Sequence, residues 1–245
     1  MPFGVAVDKE GNILVADTGN YRVQKFTPNF QFIKSWGTKG TGNGQFGFPR
    51  EIAIDSANNY YITDEFNHRV QKYTSNGQFL KTIGRYGKEN GELALPQGIA
   101  INSKNEIYIA DTYNNRIQIF DANGQFKRKI GNLEHGTGPY QFFHPRGLNI
   151  DLATDTLYVA DTSNNRIMKF NKFDQFMFTS GVFPVLAFPN QVLPDGKGNL
   201  YITDTGNNRI QVFQDLGTTA GYVKAIGNSR NGGKDYAGPF DVQSD

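Results

Sequence analysis

An all-β protein assembled from repeats is the fold class that the sequence predicts, and three observations predict it. The 245 residues include 28 Gly, 20 Phe and 12 Tyr, a composition typical of many short strands and tight turns. No stretch of the chain has helical periodicity of useful length. A segment that begins with Pro recurs six times at a nearly constant spacing, which is the mark of a repeat architecture.

Two motifs define the repeat and its phase. The first is a Pro followed by a short strand-like run, and its prolines are 47, 47, 49, 44 and 50 residues apart. It occupies Pro2–Asp8, Pro49–Asp55, Pro96–Asn102, Pro145–Asp151, Pro189–Asp195 and Pro239–Asp245. The second motif is Asp-x-x-Asn-x-Arg, which occurs five times. The phase predicts one domain over 1–245, with repeats at approximately 2–48, 49–95, 96–144, 145–188 and 189–238 and a partial repeat at 239–245.

Each repeat reads as four antiparallel strands joined by turns. In the third repeat the apolar or alternating runs are Gly98–Ile101, Ile107–Ala110, Arg116–Phe120 and Gln125–Ile130. Turn residues separate them, and the Asn-Gly pair at 123–124 favours a hairpin because both residues tolerate positive φ. Each strand is therefore expected to be about five residues long.

Four-stranded units at this period predict the blades of a β-propeller. Leucine-rich, ankyrin and tetratricopeptide repeats are shorter and contain helices, so they fit less well. The first strand of each unit has a small central side chain, as in Ile52–Ile54, and small side chains fit the narrow centre of a ring. Large rings fill one equivalent position, which is predicted to be core between diverging blades. That position holds Phe26, Tyr73, Phe120, Phe170 and Phe213.

The repeat resembles that of the NHL family over nearly the whole chain. Three features carry the resemblance: the strand before each motif Asp, as in Ile13–Asp17, the Asn-Asn-Arg-Ile-Gln run at 114–118 and 207–211, and the connection Gly42–Phe46 before Pro49. The WD type does not fit, because Trp36 is the only Trp and no Trp-Asp pair exists. NHL propellers are usually six-bladed. The expected fold is therefore a six-bladed geometry with five complete blades plus the first strand of a sixth, and a closed five-bladed ring is the alternative.

The Asp-x-x-Asn-x-Arg motif is predicted to be structural. The Asp ends the second strand and the Arg begins the third, so a hairpin places them opposite each other. An Arg fork can bond a carboxylate and turn carbonyls together, and the Asn suits a left-handed turn position. Every blade has the motif, whereas a binding site depends on what differs between blades. The motif pairs are Asp17 and Arg22, Asp64 and Arg69, Asp111 and Arg116, Asp161 and Arg166, and Asp204 and Arg209.

Catalytic and metal-binding signatures are weak in this sequence. There is no Cys, and only His135 and His144 of the three histidines flank a common connection. No Gly-x-Ser-x-Gly sequence is present. The acidic residues after the first strands (Asp8, Asp55, Asp151 and Asp195) repeat in phase and are expected to form Asx turns. The sequence therefore predicts no catalytic residue, no metal site and no cofactor, with a metal-dependent propeller lyase or hydrolase as a second alternative.

A binding surface is predicted where each connection enters a first strand. The residue directly after the phased Pro differs between blades, and the connections carry further variable basic and aromatic residues. The predicted binding residues are Arg50, Arg85, Tyr86, Gln97, His135, Tyr140, Arg146 and Asn190. The preferred interpretation is a non-catalytic scaffold that presents this loop face to a protein or peptide.

Some NHL domains bind single-stranded RNA, so an RNA-binding propeller is the first alternative, with phosphate contacts and base stacking on the same face. The net charge of +2 gives no bulk argument for nucleic acid. No apolar run approaches the roughly 20 residues of a spanning helix, so no membrane partner is expected. The protein is expected to be a monomer. Residues Met1–Asp8 lack a basic stretch followed by an apolar one, and nothing indicates a compartment.

Overall fold

Five four-stranded blades make up the part of the chain that the computed structural model describes, residues 1–180 and 186–227. Blades 1 and 2 consist of β1 (Val5–Val7), β2 (Ile13–Asp17), β3 (Arg22–Phe26), β4 (Phe32–Trp36), β5 (Pro49–Ile54), β6 (Tyr60–Asp64), β7 (Arg69–Tyr73) and β8 (Phe79–Ile83). Blade 3 consists of β9 (Ile99–Ile101), β10 (Ile107–Asp111), β11 (Arg116–Phe120) and β12 (Phe126–Gly131). Blades 4 and 5 consist of β13 (Leu148–Asp151), β14 (Thr156–Asp161), β15 (Arg166–Phe170), β16 (Phe176–Ser180), β17 (Pro189–Pro194), β18 (Asn199–Asp204), β19 (Arg209–Asp215) and β20 (Ala220–Ile226).

Every blade is an antiparallel sheet whose strands pair in chain order, which confirms the predicted blade. The motif Asp and motif Arg are direct partners in the ladder of the two middle strands, as for Asp111 and Arg116. The ladder between the third and fourth strands shifts register at the equivalent aromatic, for example at Phe120 and Phe170. Such bulges increase the local twist of a sheet. In the described residues no helix is long and apolar enough to span a membrane.

A three-residue 3₁₀ turn joins the two middle strands of each blade, and here one expectation is wrong by one position. The motif Asn was expected to take the left-handed conformation, but the residue after it does so, with φ between 52° and 57°. These residues are Tyr21, His68, Asn115, Asn165 and Asn208. The motif Asn lies within the turn, where Asn114 Nδ2 donates to the Asp111 carboxylate at 3.0 Å. The motif position is therefore Asn because of this side-chain hydrogen bond and not because Asn tolerates positive φ.

Four apolar cores lie between successive blades. Each core combines the face of one blade with the opposite face of the next. The equivalent aromatics of blades 2 to 5 are buried in these cores, and Tyr73 and Phe120 are examples. Phe26 of blade 1 is only half-buried, because no described blade lies against that face. The position is therefore core wherever a preceding blade covers it.

The two terminal blades each keep one uncovered face in the described residues. On blade 1, Phe32 is 59% exposed, and on blade 5, Ile226 is 37% exposed, whereas the equivalent Ile83 of blade 2 is buried by blade 3. No apolar core in the described part of the chain joins blade 5 to blade 1. The predicted first strand of a sixth blade, residues 239–245, lies outside the described residues.

Candidate functional site

Side chains that differ between blades converge where the first strands begin, at the centre of the face that carries the connections. We call this cluster the axial mouth, and it consists of Arg50, Glu65, Gln97, Arg146 and Asn190. Four of these residues follow a phased Pro, as predicted. Glu65 was not predicted.

Close approach of the inner strands brings these residues together. A Cβ added to Gly98 would lie 2.2 Å from the carbonyl oxygen of Arg146, and one added to Gly147 would lie 2.3 Å from that of Asn190. Only Gly permits such contact between neighbouring backbones. The glycine that follows each variable residue in blades 3 and 4 therefore places Gln97, Arg146 and Asn190 side by side.

Glu65 occupies a position that is Thr in the other four blades (Thr18, Thr112, Thr162 and Thr205). Thr18 and Thr162 each donate a hydrogen bond to the carbonyl of the next blade's phased Pro, at 2.6 and 2.7 Å. Glu65 instead accepts from Arg50 Nη1 at 2.9 Å and from Gln97 Nε2 at 2.8 Å. A break in the repeat was thus the signal in the sequence that could have identified this residue.

Arg50 is held firmly by its surroundings. Besides its ion pair with Glu65, its guanidinium lies 4.6 Å from the centroid of the Phe3 ring, and Phe3 is the post-Pro residue of blade 1. A row of rings continues outward, with Phe3 to Phe48 at 5.6 Å and Phe48 to Phe66 at 4.6 Å between centroids. The charge of Arg50 is therefore compensated within the protein.

Arg146 is not compensated in this way. Its Nη1 reaches Asn190 Oδ1 at 3.4 Å, and its Nε is buried with no hydrogen-bond partner among the described residues. Burial lowers the pKa of Arg146, and the nearby positive charge of Arg50 lowers it further, against the opposing effect of Glu65. Gln97 Oε1 is also buried without a partner. The mouth thus contains a donor and an acceptor that the described residues leave unused.

A side-chain pair crosses the axis beside the mouth. Gln191 Nε2 donates to Glu51 Oε1 at 3.2 Å, although the two residues belong to blades 5 and 2. A cavity of about 170 Å³ lies along the inner strands and is lined by Glu51 and mainly apolar residues such as Ile52, Ala100 and Ile150.

A second concave feature lies on the same face, near blade 3. This loop-face groove has a volume of about 480 Å³ and is lined in part by Tyr86, Lys88, Tyr113 and Leu133. Tyr86 packs on the ring of His68 with centroids 4.7 Å apart. The predicted residue Tyr86 therefore lies in a groove and outside the mouth.

The structure does not bring the other predicted connection residues to the mouth. Arg85 is exposed and pairs with Glu92 at 3.0 Å. His135 packs on a neighbouring aromatic ring, Phe143. Tyr140 lies against the outer part of blade 4, where its hydroxyl accepts from the Phe176 amide at 3.1 Å.

The histidines do not form a metal centre with one another. His68 Nδ1 accepts from the Leu95 amide at 3.0 Å. Burial lowers the pKa of both His68 and His144, so both rings favour the neutral form. In the described residues no group of three or more His, Asp or Glu side chains could hold a metal ion.

The motif arginines bind the incoming connection to the top of their blade. Arg116 Nε donates to Asp111 at 2.7 Å, and its Nη2 donates to the carbonyls of Glu89 and Glu92 at 2.8 and 3.0 Å. Gln118 Nε2 adds bonds to the Glu92 carbonyl and to Asp111. Arg69 and Arg166 make the same kind of contacts in blades 2 and 4. The motif polar groups are therefore occupied by the fold itself.

Family profiles agree with this architecture. The NHL repeat profile matches residues 1–26, 46–73 and 195–213, and a profile described as a 6-bladed beta-propeller matches residues 88–193. Together, the two profiles support an NHL-repeat β-propeller family for this chain. The second description also agrees with the predicted six-bladed geometry. No curated protein sequence matches this NHL propeller significantly.

Solved structures similar to this NHL propeller include both enzymes and binding proteins. A streptogramin B lyase aligns with a TM-score of 0.71 at 14% identity, over 93% of this chain and 69% of the lyase. A catalytically inactive virginiamycin B lyase from Staphylococcus aureus with quinupristin aligns with a TM-score of 0.63 at 16% identity, over 82% of this chain and 62% of the lyase. A chain of a nidogen/laminin complex aligns with a TM-score of 0.74 at 18% identity, over 96% of this chain and 82% of that chain. At such identities the similarity shows the fold alone, which hosts unrelated functions.

Proposed function

We propose that this NHL propeller is a non-catalytic binding scaffold that engages a protein or peptide segment on its loop face, around the axial mouth. One observation carries the proposal: residues that vary between otherwise equivalent blades converge there, and Arg146 and Gln97 keep buried polar atoms without partners. Buried polar groups are normally hydrogen-bonded. Unused ones at the centre of a concave repeat surface therefore favour a ligand as the missing partner.

Exposed aromatics on the same face support the proposal. Phe66, Tyr86 and Tyr113 are 57%, 72% and 65% exposed, and the two tyrosines line the loop-face groove. Arg and large aromatic residues dominate the energetics of protein interfaces. A peptide lying from the mouth toward blade 3 would contact both kinds of residue.

The two alternatives have less support from the geometry. For RNA, Arg50 and Arg85 are paired with carboxylates, which reduces the charge available to a phosphate backbone. For a lyase, the mouth contains no His, the usual general acid or base of such sites. The lyase neighbours share only the fold at the observed identities. RNA binding stays a prediction that the same experiment can address.

Selection of a displayed random dodecapeptide library on the immobilised protein tests the proposal. Enriched peptides are expected to lose about tenfold in affinity to the Tyr113→Ser variant, which corresponds to a loss of about 1.4 kcal/mol. Phe173→Ser is the matched control. Phe173 is 70% exposed, but it lies in the turn between β15 and β16 at the opposite end of the blades.

Two outcomes would overturn the proposal. One is the absence of any enriched peptide from a sample with an intact β circular dichroism spectrum. The other is an equal loss of affinity in Tyr113→Ser and Phe173→Ser, which would place binding away from the loop face. The RNA alternative would be favoured instead if a random single-stranded RNA pool bound tightly, if this binding weakened strongly with salt, and if no enriched peptide displaced the RNA.

A further inference from the structure

We propose that the axial mouth recognises an acidic residue of the partner, with the Asp or Glu carboxylate on Arg146 and the backbone N–H of the partner on Gln97 Oε1. This inference rests on the proposed binding function and specifies the chemistry of its central contact.

The first step concerns the donors of Arg146. A guanidinium carries five N–H donors, yet Arg146 makes one long hydrogen bond, to Asn190, and its Nε has no partner. Arg116, by contrast, bonds one carboxylate and two carbonyls. No carboxylate of the described residues pairs with Arg146, whereas Arg50 beside it is paired with Glu65. A partly buried cation without a counter-charge is costly, and a carboxylate matches the guanidinium fork best.

The second step concerns the acceptor on Gln97. Its Nε2 donates to Glu65 Oε1 at 2.8 Å, and this bond fixes the amide orientation, because a flipped amide would place two oxygens together. Gln97 Oε1 therefore remains an acceptor with no partner in the described part of the chain. A ligand that fits must supply a donor as well as an acceptor.

The third step joins the two groups. The close approach of Gly98 to the Arg146 carbonyl shows that the strands carrying Gln97 and Arg146 are in direct contact. An acidic amino-acid residue carries a carboxylate and a backbone N–H within one unit. A phosphodiester supplies acceptors only, and the donor of an RNA backbone, the 2′-hydroxyl, belongs to the neighbouring ribose. The pair of unused groups therefore favours an acidic peptide over a nucleic-acid backbone.

Two peptide pools test the inference. Both consist of N-acetylated, C-amidated heptapeptides with mixed uncharged flanking residues, and the central residue is Glu in one pool and Gln in the other. Against the unaltered protein in low salt, the Glu pool is expected to bind about tenfold more tightly. Arg146→Gln should bind the two pools with equal affinity. Arg146→Lys should retain part of the preference for the Glu pool, because Lys keeps the positive charge but not the guanidinium fork. Lys104→Gln is the control, since it removes one exposed positive charge from the opposite end of the blades.

The outcomes separate this inference from the proposed function. Equal binding of both pools by the unaltered protein overturns the acidic preference and leaves the scaffold function standing. Failure of the pools together with failure of the dodecapeptide library overturns both. An acidic preference that survives in folded Arg146→Gln, or that falls equally in Lys104→Gln, overturns the assignment to the mouth. Displacement of the Glu pool by random single-stranded RNA, from the unaltered protein and from Arg146→Lys alike, identifies a general anion site and overturns the peptide assignment.

Discussion

Arg116 shows how one side chain completes a blade. It is fully buried beside Asp111, and it also bonds two carbonyls of the connection that arrives from blade 2. Burial raises the pKa of Asp111, against the hydrogen bonds that favour its ionised form. The carboxylate therefore depends on its partners to stay charged in the interior. In blade 1, where no connection arrives from a preceding described blade, Arg22 is 40% exposed, and Asp17 is its only ion-pair partner among the described residues.

The same motif arginine should therefore contribute very differently in the two blades. Arg116→Ala is expected to reduce the free energy of unfolding by about 3 to 5 kcal/mol, because it removes the counter-charge of a buried carboxylate and one donor from each of two carbonyls. Arg22→Ala should cost less than about 1 kcal/mol, as for an exposed ion pair. Urea denaturation followed by circular dichroism measures both. Equal losses would show that burial does not set the contribution of the motif.

The sequence predicts which residues lie at the mouth better than it predicts whether their polar atoms have hydrogen-bond partners. The post-Pro positions Arg50, Gln97, Arg146 and Asn190 could be singled out because the repeat defines equivalence, and the structure brings them together. Glu65 was also accessible, as a departure from Thr at one position. The unpartnered atoms of Arg146 and Gln97 were not, because satisfaction of a hydrogen bond depends on distances between blades that no local pattern encodes.

At the scale of the element, the inner strands depend on close backbone contact. Gly98 lies against the carbonyl of Arg146 and the amide of Leu148, and an added Cβ would be 2.2 and 3.1 Å from them. Strand lengths, order and antiparallel pairing follow from turn residues and alternation, so they could be predicted. The left-handed residue lies one position after the predicted one, because the motif Asn is held inside the 3₁₀ turn by its side-chain hydrogen bond to the motif Asp.

Gly98→Ala should separate blades 3 and 4 at the mouth. The added methyl group meets backbone atoms that cannot rotate away, and overpacking of this kind costs about 1 to 3 kcal/mol. Gly221→Ala in β20 is the matched control, because its Cβ would meet only a Leu216 methyl at 3.4 Å. Thermal denaturation of both variants provides the measurement. A melting temperature unchanged by Gly98→Ala would contradict the close packing of these strands.

At the scale of the whole molecule, the period of the repeat predicted the blades, but it could not determine how the array ends. Each blade packs its apolar faces only on its neighbours, so the stability of a repeat array is a sum of nearest-neighbour contributions. Blades 2, 3 and 4 have a described neighbour on both sides. Blades 1 and 5 have one each, and the exposure of Phe32 and Ile226 reflects this.

Hydrogen exchange should therefore differ between equivalent strands. Amides of β3 in blade 1 and β19 in blade 5 are expected to exchange about tenfold faster than those of β11 in blade 3, since opening a terminal blade breaks one interface and opening a middle blade breaks two. Exchange followed by mass spectrometry compares the three strands in one sample. Equal protection of β3 and β11 would mean that another segment or a second chain covers blade 1 in solution, as in a closed ring. Because closure would also fix the position of blade 5 relative to blade 2, it would hold the Gln191 and Glu51 pair in place beside the mouth.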